Sequence, residues 1–357
     1  DEKFYKSKQP IIQIINMLDF YSEDSGQIII SPDLLNHIKK TLNKKKQIII
    51  LNNRRGYASS IFSKSDNEPI FCDYCNVPMS FHKERELLLC HYCDSKKIFT
   101  EKNENSDNSI ILSGHGTEKI HELLSNSFPN ANISRVDSDT LKKKSTLNTV
   151  LNDFESGIID ILIGTQMISK GLDFDNVDLV GVINADYGMF IPDFRSGEKI
   201  FQIISQVIGR SGRREQQGTA IIQTYNPTDM NLRNAIQLKS KTFYSHNLAQ
   251  RNDLQYPPFS RLCRIIFSGY DLDVVEKVSQ NITTVLSKNK NFKILGPSSA
   301  PISKIKNKWR LNTLIFAGKD NPMEIQDYYK SRIGTSTLEK PYKNVNIKLD
   351  IDPINML

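Results

Sequence analysis

Short runs of consecutive apolar residues, each followed by a stretch of helical periodicity, restrict what this chain can become more than any other feature. In "QIIILN" (Gln47–Asn52) neither side of an extended strand is left for water, so the run must be covered on both faces. "SIILSGHG" (Ser109–Gly116), "NISRVD" (Asn132–Asp137), "IDILIGT" (Ile159–Thr165), "DLVGVINA" (Asp178–Ala185) and "TAIIQTY" (Thr219–Tyr225) read as further strands. Between them, Ile120, Leu123, Leu124 and Phe128 recur at helical spacing, and Leu147, Val150, Leu151 and Phe154 do so before a stop at Gly157. One more helix is expected around Ile200–Ile208. The alternation predicts an α/β layer built on a parallel sheet, with ligand-binding loops at the C-terminal ends of its strands.

From about Leu254 the pattern changes. "RLCRIIFSG" reads as a strand, and Val274, Val275, Val278, Ile282, Val285 and Leu286 line a helix. Two strands around "KIKNKWRLNTLIFA", a short helix near Glu324–Lys330 and the closing "VNIKLDID" complete a β-α-β-β-α-β order, the split ferredoxin-like pattern. The paired prolines of "LQYPPFS" cannot continue a helix, which makes that stretch the expected hinge. A chain of 357 residues with a hydrophobic fraction of 38% can support two such domains.

Lys+Arg of 47 against Asp+Glu of 40 gives a formal charge of +7, which suits a polyanionic partner or simply a lysine-rich surface. No apolar run approaches the roughly 20 residues needed to span a bilayer. The first ten residues, "DEKFYKSKQP", contain no apolar secretion-signal region and read as an interrupted start. A cytoplasmic location is expected.

Four of the five cysteines fall as C-x2-C-x14-C-x2-C: Cys72, Cys75, Cys90 and Cys93. Each pair can form a tight knuckle, and two knuckles can close a tetrahedral thiolate site for zinc. Four thiolates leave no open coordination position, so such a metal is structural, and its binding supplies most of the insertion's folding energy. His91 lies inside the second knuckle and is expected to be solvated, and His82 is nearby. Cys263 stands alone in an apolar strand, as a buried thiol does.

"IGTQMISKGLDF" (Ile163–Phe174) follows a buried strand, and Gly164 and Thr165 let a backbone amide approach an anion. In "QVIGRSGR", Gln206, Arg210 and Arg213 fall at i, i+4 and i+7 on one stripe, with Gly209 and Gly212 permitting close approach. Guanidinium groups so placed can bind phosphate oxygens bidentately. Yet the sequence holds no G-x-x-x-x-G-K-[ST] loop to grip those phosphates.

These two loops resemble motifs V and VI of superfamily 2 helicases. "NNRRGYA", the cysteine pairs, "GHGTEKI", "RVDSDT", "DFRSGEKIFQIISQVIGRSGR", "YPPFSRL", "LGPSSAPISKIKNKWR" and "LDIDP" follow in the order found in the primosomal replication-restart helicases, the PriA family. The resemblance runs from roughly Ser31 to the end. It implies a connecting segment over 1–30 and a second RecA-like helicase lobe over 31–253. Within that lobe it implies a zinc-binding insertion over 68–100, and after it a ferredoxin-like C-terminal domain over 254–357. It further implies that Cys72, Cys75, Cys90 and Cys93 hold one zinc. Gln206, Arg210 and Arg213 then face the nucleotide, and Thr165, Lys170, Gly171 and Asp173 couple nucleotide to DNA. The family pattern has eight cysteines and two zincs. Here the outer pairs are replaced by "SIFSKSDNEP" and "KIFTEKNENSDN". The first helicase lobe, with its phosphate loop and Mg²⁺-binding acidic box, is absent from this sequence; the chain is expected to be a C-terminal piece of a longer protein, or the lobe is encoded elsewhere and supplied in trans, or lost.

The activity implied is ATP- and Mg²⁺-dependent 3′-to-5′ unwinding of forked DNA at replication restart. Its implied partners are forked or single-stranded DNA, other primosome proteins, a replicative helicase loader, single-strand-binding protein and the missing lobe, in a nucleoid-associated cytoplasmic setting. Two other readings compete: a zinc-bearing DNA-binding scaffold without a motor, and another superfamily 2 translocase. One further element points to nucleic acid. In "KIKNKWR", read as a single strand, Lys304, Lys306, Lys308 and Arg310 alternate with Ile305, Asn307 and Trp309, which puts four cations on one face. A lysine-guarded sheet edge is the alternative.

Overall fold

The computed structural model describes residues 10–20, 28–52, 60–63, 68–82, 85–99, 109–112, 116–136, 144–165, 174–186, 191–210, 217–319, 324–333 and 344–356. Contacts group the chain into two compact units. The first is Asp1–Gly56, Leu112–Met189 and Ser196–Phe243; the second is Tyr57–Ile111, Phe190–Arg195 and Tyr244–Leu357. Among the described residues no helix is long and apolar enough to cross a membrane.

In the first unit, six parallel strands are ordered Ile11–Asn16, Thr219–Thr224, Val177–Val182, Gln47–Leu51, Ile161–Gly164 and Ile133–Val136. Gln47–Leu51 is buried at every position, as its unbroken apolar run requires. The flanking helices bury Leu34, Ile38, Phe154, Ile200, Ile204 and Val207. Where a polar group enters this core it is matched: the Gln47 amide donates to the carbonyls of Phe154 and Ile159. Gly157 adopts φ 82°, and the N–H groups of Gly157 and Ile158 return to the carbonyls of Phe154 and Asp153, a glycine-terminated helix end.

Two strands differ from the sequence reading. Ile11–Asn16 lies in the stretch read as a connecting segment, yet it pairs in parallel with Thr219–Thr224 as the sheet's edge, with Ile11 55% exposed. Ser109–Leu112 was expected in the parallel layer and instead belongs to a three-stranded sheet ordered Glu68–Pro69, Ser60–Ser63, Ser109–Leu112. A short apolar run carries no information about which sheet receives it. Here the strands that enter and leave the cysteine segment sit in the same small sheet, which closes the inserted loop.

The second unit contains a four-stranded antiparallel sheet ordered Lys293–Ile305, Lys308–Ala317, Arg261–Gly269, Asn346–Ile351. This is the ferredoxin-like arrangement expected of the β-α-β-β-α-β order. One face, carrying Cys263, Ile265, Phe267, Leu311 and Ile315, packs against Val275, Val278, Ile282 and Leu286 of the helix Leu272–Leu286. Asp271 caps that helix by accepting from the Val274 N–H. Cys263 is fully buried, and burial pushes its thiol up to about 12.

Just past the strand Val177–Val182, Asp186 is fully buried and accepts from Thr224 Oγ1 and the Tyr225 N–H. Burial, the largest cause, raises its pKa from the usual 3.8 to about 6. An acid raised in this way stabilises the fold while protonated, and that contribution is lost as pH rises through the folded-state value. Compared with Asp186→Asn, the native protein should therefore lose up to about 3 kcal/mol between pH 4 and 7. Urea-unfolding midpoints of the two proteins across that range measure it; parallel curves would refute it.

Candidate metal centre, strand-end loops and hairpin

The four cysteines predicted to act together do converge. The Sγ atoms of Cys72, Cys75, Cys90 and Cys93 all lie within 4.8 Å of one another, and Cys72 and Cys93 approach to 3.6 Å. A tetrahedron of metal–sulfur bonds of about 2.3 Å has edges of roughly 3.8 Å, so this donor set fits a four-coordinate ion. The two pairs fold alike. The Asn76 N–H donates to the Cys72 carbonyl and the Cys72 N–H to Val77 O; the Asp94 N–H donates to the Cys90 carbonyl and the Cys90 N–H to Ser95 O. Asn76 and Asp94 take φ of 47° and 64°, a left-handed step that Asn and Asp tolerate. Each knuckle is thus closed by the residue after its second cysteine.

The side-chain hydrogen bond with Cys75 holds Cys72 low, while the bond with Cys72 pushes both Cys75 and Cys90 up. Four thiolates at this spacing require positive charge among them, and a bound divalent ion provides it.

What holds the knuckles is a set of residues that sequence reasoning missed. Tyr256, from the stretch read as a hinge, is buried and donates from its hydroxyl to the Cys75 carbonyl at 2.8 Å. Its ring stacks on Phe194 at 4.8 Å, and the Arg195 and Arg251 guanidiniums lie 4.7 and 4.8 Å from the Phe194 centroid. Arg195 also pairs with the fully buried Asp193 and donates to Pro353 O. The second knuckle is fixed more directly. The His91 carbonyl accepts from Ser298 Oγ at 2.7 Å and Asn312 Nδ2 at 3.1 Å, and His91 Nδ1 lies 2.7 Å from Ser299 O.

His91 therefore corrects the expectation of a solvated ring. It is 2% exposed, and burial pushes its pKa down to about 4, leaving a neutral imidazole whose Nδ1–H donates to Ser299. His82 packs edge-on to it with ring centroids 5.4 Å apart. The residue type alone gave no hint of this, because the sheet that receives His91 lies some two hundred positions later in the chain.

In the first unit, Thr165 follows the strand Ile161–Gly164 at the carboxyl edge of the parallel sheet. There the Asn52 N–H donates to Gly164 O and the Ile183 N–H to Leu51 O, which tie neighbouring strand ends together. The helix Ser196–Arg210 carries half-buried Gln206 at the border of its buried face, next to Val207 and one turn from Ile203. Arg210 ends that helix, and the placement of its side chain lies outside the described residues. Lys170, Gly171, Asp173 and Arg213 also lie outside the described residues.

The "KIKNKWR" segment is a hairpin, which corrects the reading of one strand. Ile305 pairs with Lys308 and Lys304 with Trp309 across a two-residue turn at Lys306 and Asn307, whose φ values are 49° and 60°. Two consecutive left-handed residues match the twist of the flanking strands. The turn breaks the period of two that the sequence count assumed. Lys304 lies on the Trp309 side, its Nζ 4.6 Å from the indole centroid, while Lys308 shares the other side with Arg310 and Lys306 sits in the turn. The four cations surround a hairpin tip instead of lining one face.

The family model described as Helicase conserved C-terminal domain matches residues 84–215, and that described as Primosomal protein N C-terminal domain matches 252–354. Among similar curated proteins, replication restart protein PriA of Bacillus subtilis is 34% identical over 353 residues, covering 96% of this chain and 43% of that protein. PriA of Borreliella burgdorferi is 36% identical over 99% of this chain and 52% of its own length. PriA of Rickettsia typhi is 35% identical over 96% of this chain and 52% of its own length. The chain spans about half the length of the curated relatives it matches.

Truncating the amide that reaches the second knuckle tests whether the sheet holds the thiols. Asn312→Ala leaves the His91 carbonyl with Ser298 alone and should cost about 1–2 kcal/mol of stability. Metal should leave this variant faster under a chelator, since orienting partners outside the ligand shell set metal affinity. Equal release rates, followed by a colorimetric metal indicator, would show that the knuckles hold themselves.

Proposed function

Because this chain belongs to the PriA family, we propose that it works as the nucleotide-facing second lobe and C-terminal domain of an ATP-dependent 3′-to-5′ helicase that restarts replication at forked DNA. The observation that carries this reading is the 34–36% identity to replication restart proteins over nearly the whole chain, spanning parallel-sheet unit, cysteine centre and C-terminal sheet together. In this reading Gln206, Arg210 and Arg213 meet the phosphates of ATP held by another lobe, and Thr165, Lys170, Gly171 and Asp173 pass the nucleotide state to DNA. Mg²⁺-bound ATP supplies the free energy when it is in place. The arginines neutralise charge on a phosphoryl group that is already gripped, typically for a gain of about 10³–10⁵ in rate.

The cysteine centre is a zinc site in this reading, and its role is structural because four thiolates leave no position for substrate. The hairpin cations Lys304, Lys306, Lys308 and Arg310 contact DNA phosphates. The setting is the cytoplasm near the nucleoid, and the partners are other primosome proteins, a replicative helicase loader and single-strand-binding protein.

Three outcomes test the reading. Elemental analysis should find one zinc per chain and none in Cys90→Ser. Changing the four hairpin cations to Ala should flatten the salt dependence of fork binding, since each lost phosphate contact removes close to one unit of slope. The purified chain should release no phosphate from ATP, because its sequence has no phosphate loop. A first helicase lobe added in trans should restore DNA-stimulated turnover, and Arg213→Ala should then remove most of it. Steady turnover by the chain alone would sink the proposal, as would intact activity in the reconstituted Arg213→Ala protein.

A further inference from the structure

The two ends of one sheet face in the second unit are built for different tasks. Register puts Leu262, Arg264, Ile266 and Ser268 on the same side as Phe316, Leu314, Asn312 and Arg310 of the neighbouring strand. On the other neighbour the same side carries Asp350, Lys348 and Asn346. At one end, Leu262, Leu314 and Phe316 are buried against the cysteine knuckles, and Asn312 reaches the His91 carbonyl. At the opposite end the strands carry Lys308, Arg310 and exposed Asn346, with exposed Lys348 further in, level with Asn312. There Tyr270, the residue after the strand Arg261–Gly269, stands 70% exposed with Lys308 Nζ 5.1 Å from its ring centroid.

A large aromatic ring exposed beside a lysine offers a π-face and a cation together. Its neighbours narrow what can cover it. An apolar peptide would have to bury the Lys308 ammonium, which it cannot neutralise. A duplex offers phosphates, but its bases are already stacked and paired, so the ring would have no π-face to meet. An unpaired strand offers both a phosphate for Lys308 and open base faces for the ring.

We propose that Tyr270 stacks on an unpaired base of a single-stranded nucleic acid while Lys308 takes a flanking phosphate, making this end of the sheet a single-strand grip. This rests on the reading of the hairpin cations as DNA contacts and adds to it the substrate form and the residue that selects it. Stacking distinguishes the strand from the duplex; the lysine supplies charge to either. Tyr270 contributes little to the core, so its truncation leaves the fold intact.

The test uses the whole chain and fluorescence anisotropy with three probes of equal length: single-stranded oligothymidine, its duplex with oligoadenine, and an abasic strand. Tyr270→Ala should weaken oligothymidine binding on the order of tenfold with its salt slope unchanged, because a stacked base releases no counterions. Tyr270→Phe should bind like the native protein. Abasic and duplex affinities should be unaffected by either change. Lys308→Ala should instead lower the salt slope with all three probes. If Tyr270→Ala leaves oligothymidine binding unchanged while Lys308→Ala lowers the slope, stacking is wrong and the cationic hairpin stands. If neither substitution matters, both readings fall. Equal losses on duplex and single strand would also overturn the grip, and circular dichroism with metal content checks that each variant is folded.

Discussion

Four thiolates held within 4.8 Å would repel one another unless a cation joined them, and the sheet of the second unit packs around the knuckles that bring them together. The knuckles are too short to bury themselves. They close against Tyr256, Leu262, Leu314 and Phe316, which come from a segment more than a hundred and fifty residues later. The hydrogen bonds from Tyr256 to the Cys75 carbonyl, and from Ser298 and Asn312 to the His91 carbonyl, fix the two knuckles from the side of the sheet. Charge neutralisation and apolar burial are therefore coupled. A metal that closes the thiols also presents the surface on which the sheet packs, and the packed sheet keeps the carbonyls of the knuckles in place.

The same economy of contact explains which parts of the architecture could be read in advance. Gln47–Leu51, Ile161–Gly164 and Thr219–Thr224 carry unbroken apolar runs, and nothing but a sheet covered on both faces accommodates them. The β-α-β-β-α-β order of the last hundred residues has few compact solutions, and the observed strand order is the ferredoxin-like one. The cysteine spacing likewise admits one simple geometry, and the thiols adopt it.

The misreadings share a cause. Periodicity reports which side of an element is buried and is silent on the partner that buries it. The apolar run Ser109–Leu112 suits the large sheet equally well, yet its neighbour is the short strand Ser60–Ser63 that leads into the cysteine segment. His91 sits in a knuckle where a solvated ring is expected, yet its carbonyl accepts two hydrogen bonds from a remote hairpin and its ring donates one to it. The period of two in "KIKNKWR" is broken because the segment turns back on itself at Lys306 and Asn307. A Lys-Asn turn between Ile305 and Lys308 lacks the glycine that most plainly announces such a hairpin, so only the backbone angles reveal it.

The turn changes the chemistry as well as the shape. Had the segment run straight, its four cations would form a flat stripe suited to any polyanion. Folded back, it sends Lys304 to the indole of Trp309 and Lys308 to the ring of Tyr270, so each lysine sits against an aromatic surface on its own side of the hairpin. A cation over a ring can leave it for a phosphate at modest cost, and the ring it uncovers can then meet a base. Charge and stacking surface are presented together because one two-residue turn brings Lys308 beside the end of the strand Arg261–Gly269. The discrimination available to this surface comes from that pairing of ring and cation, since the cations alone attract every nucleic acid equally.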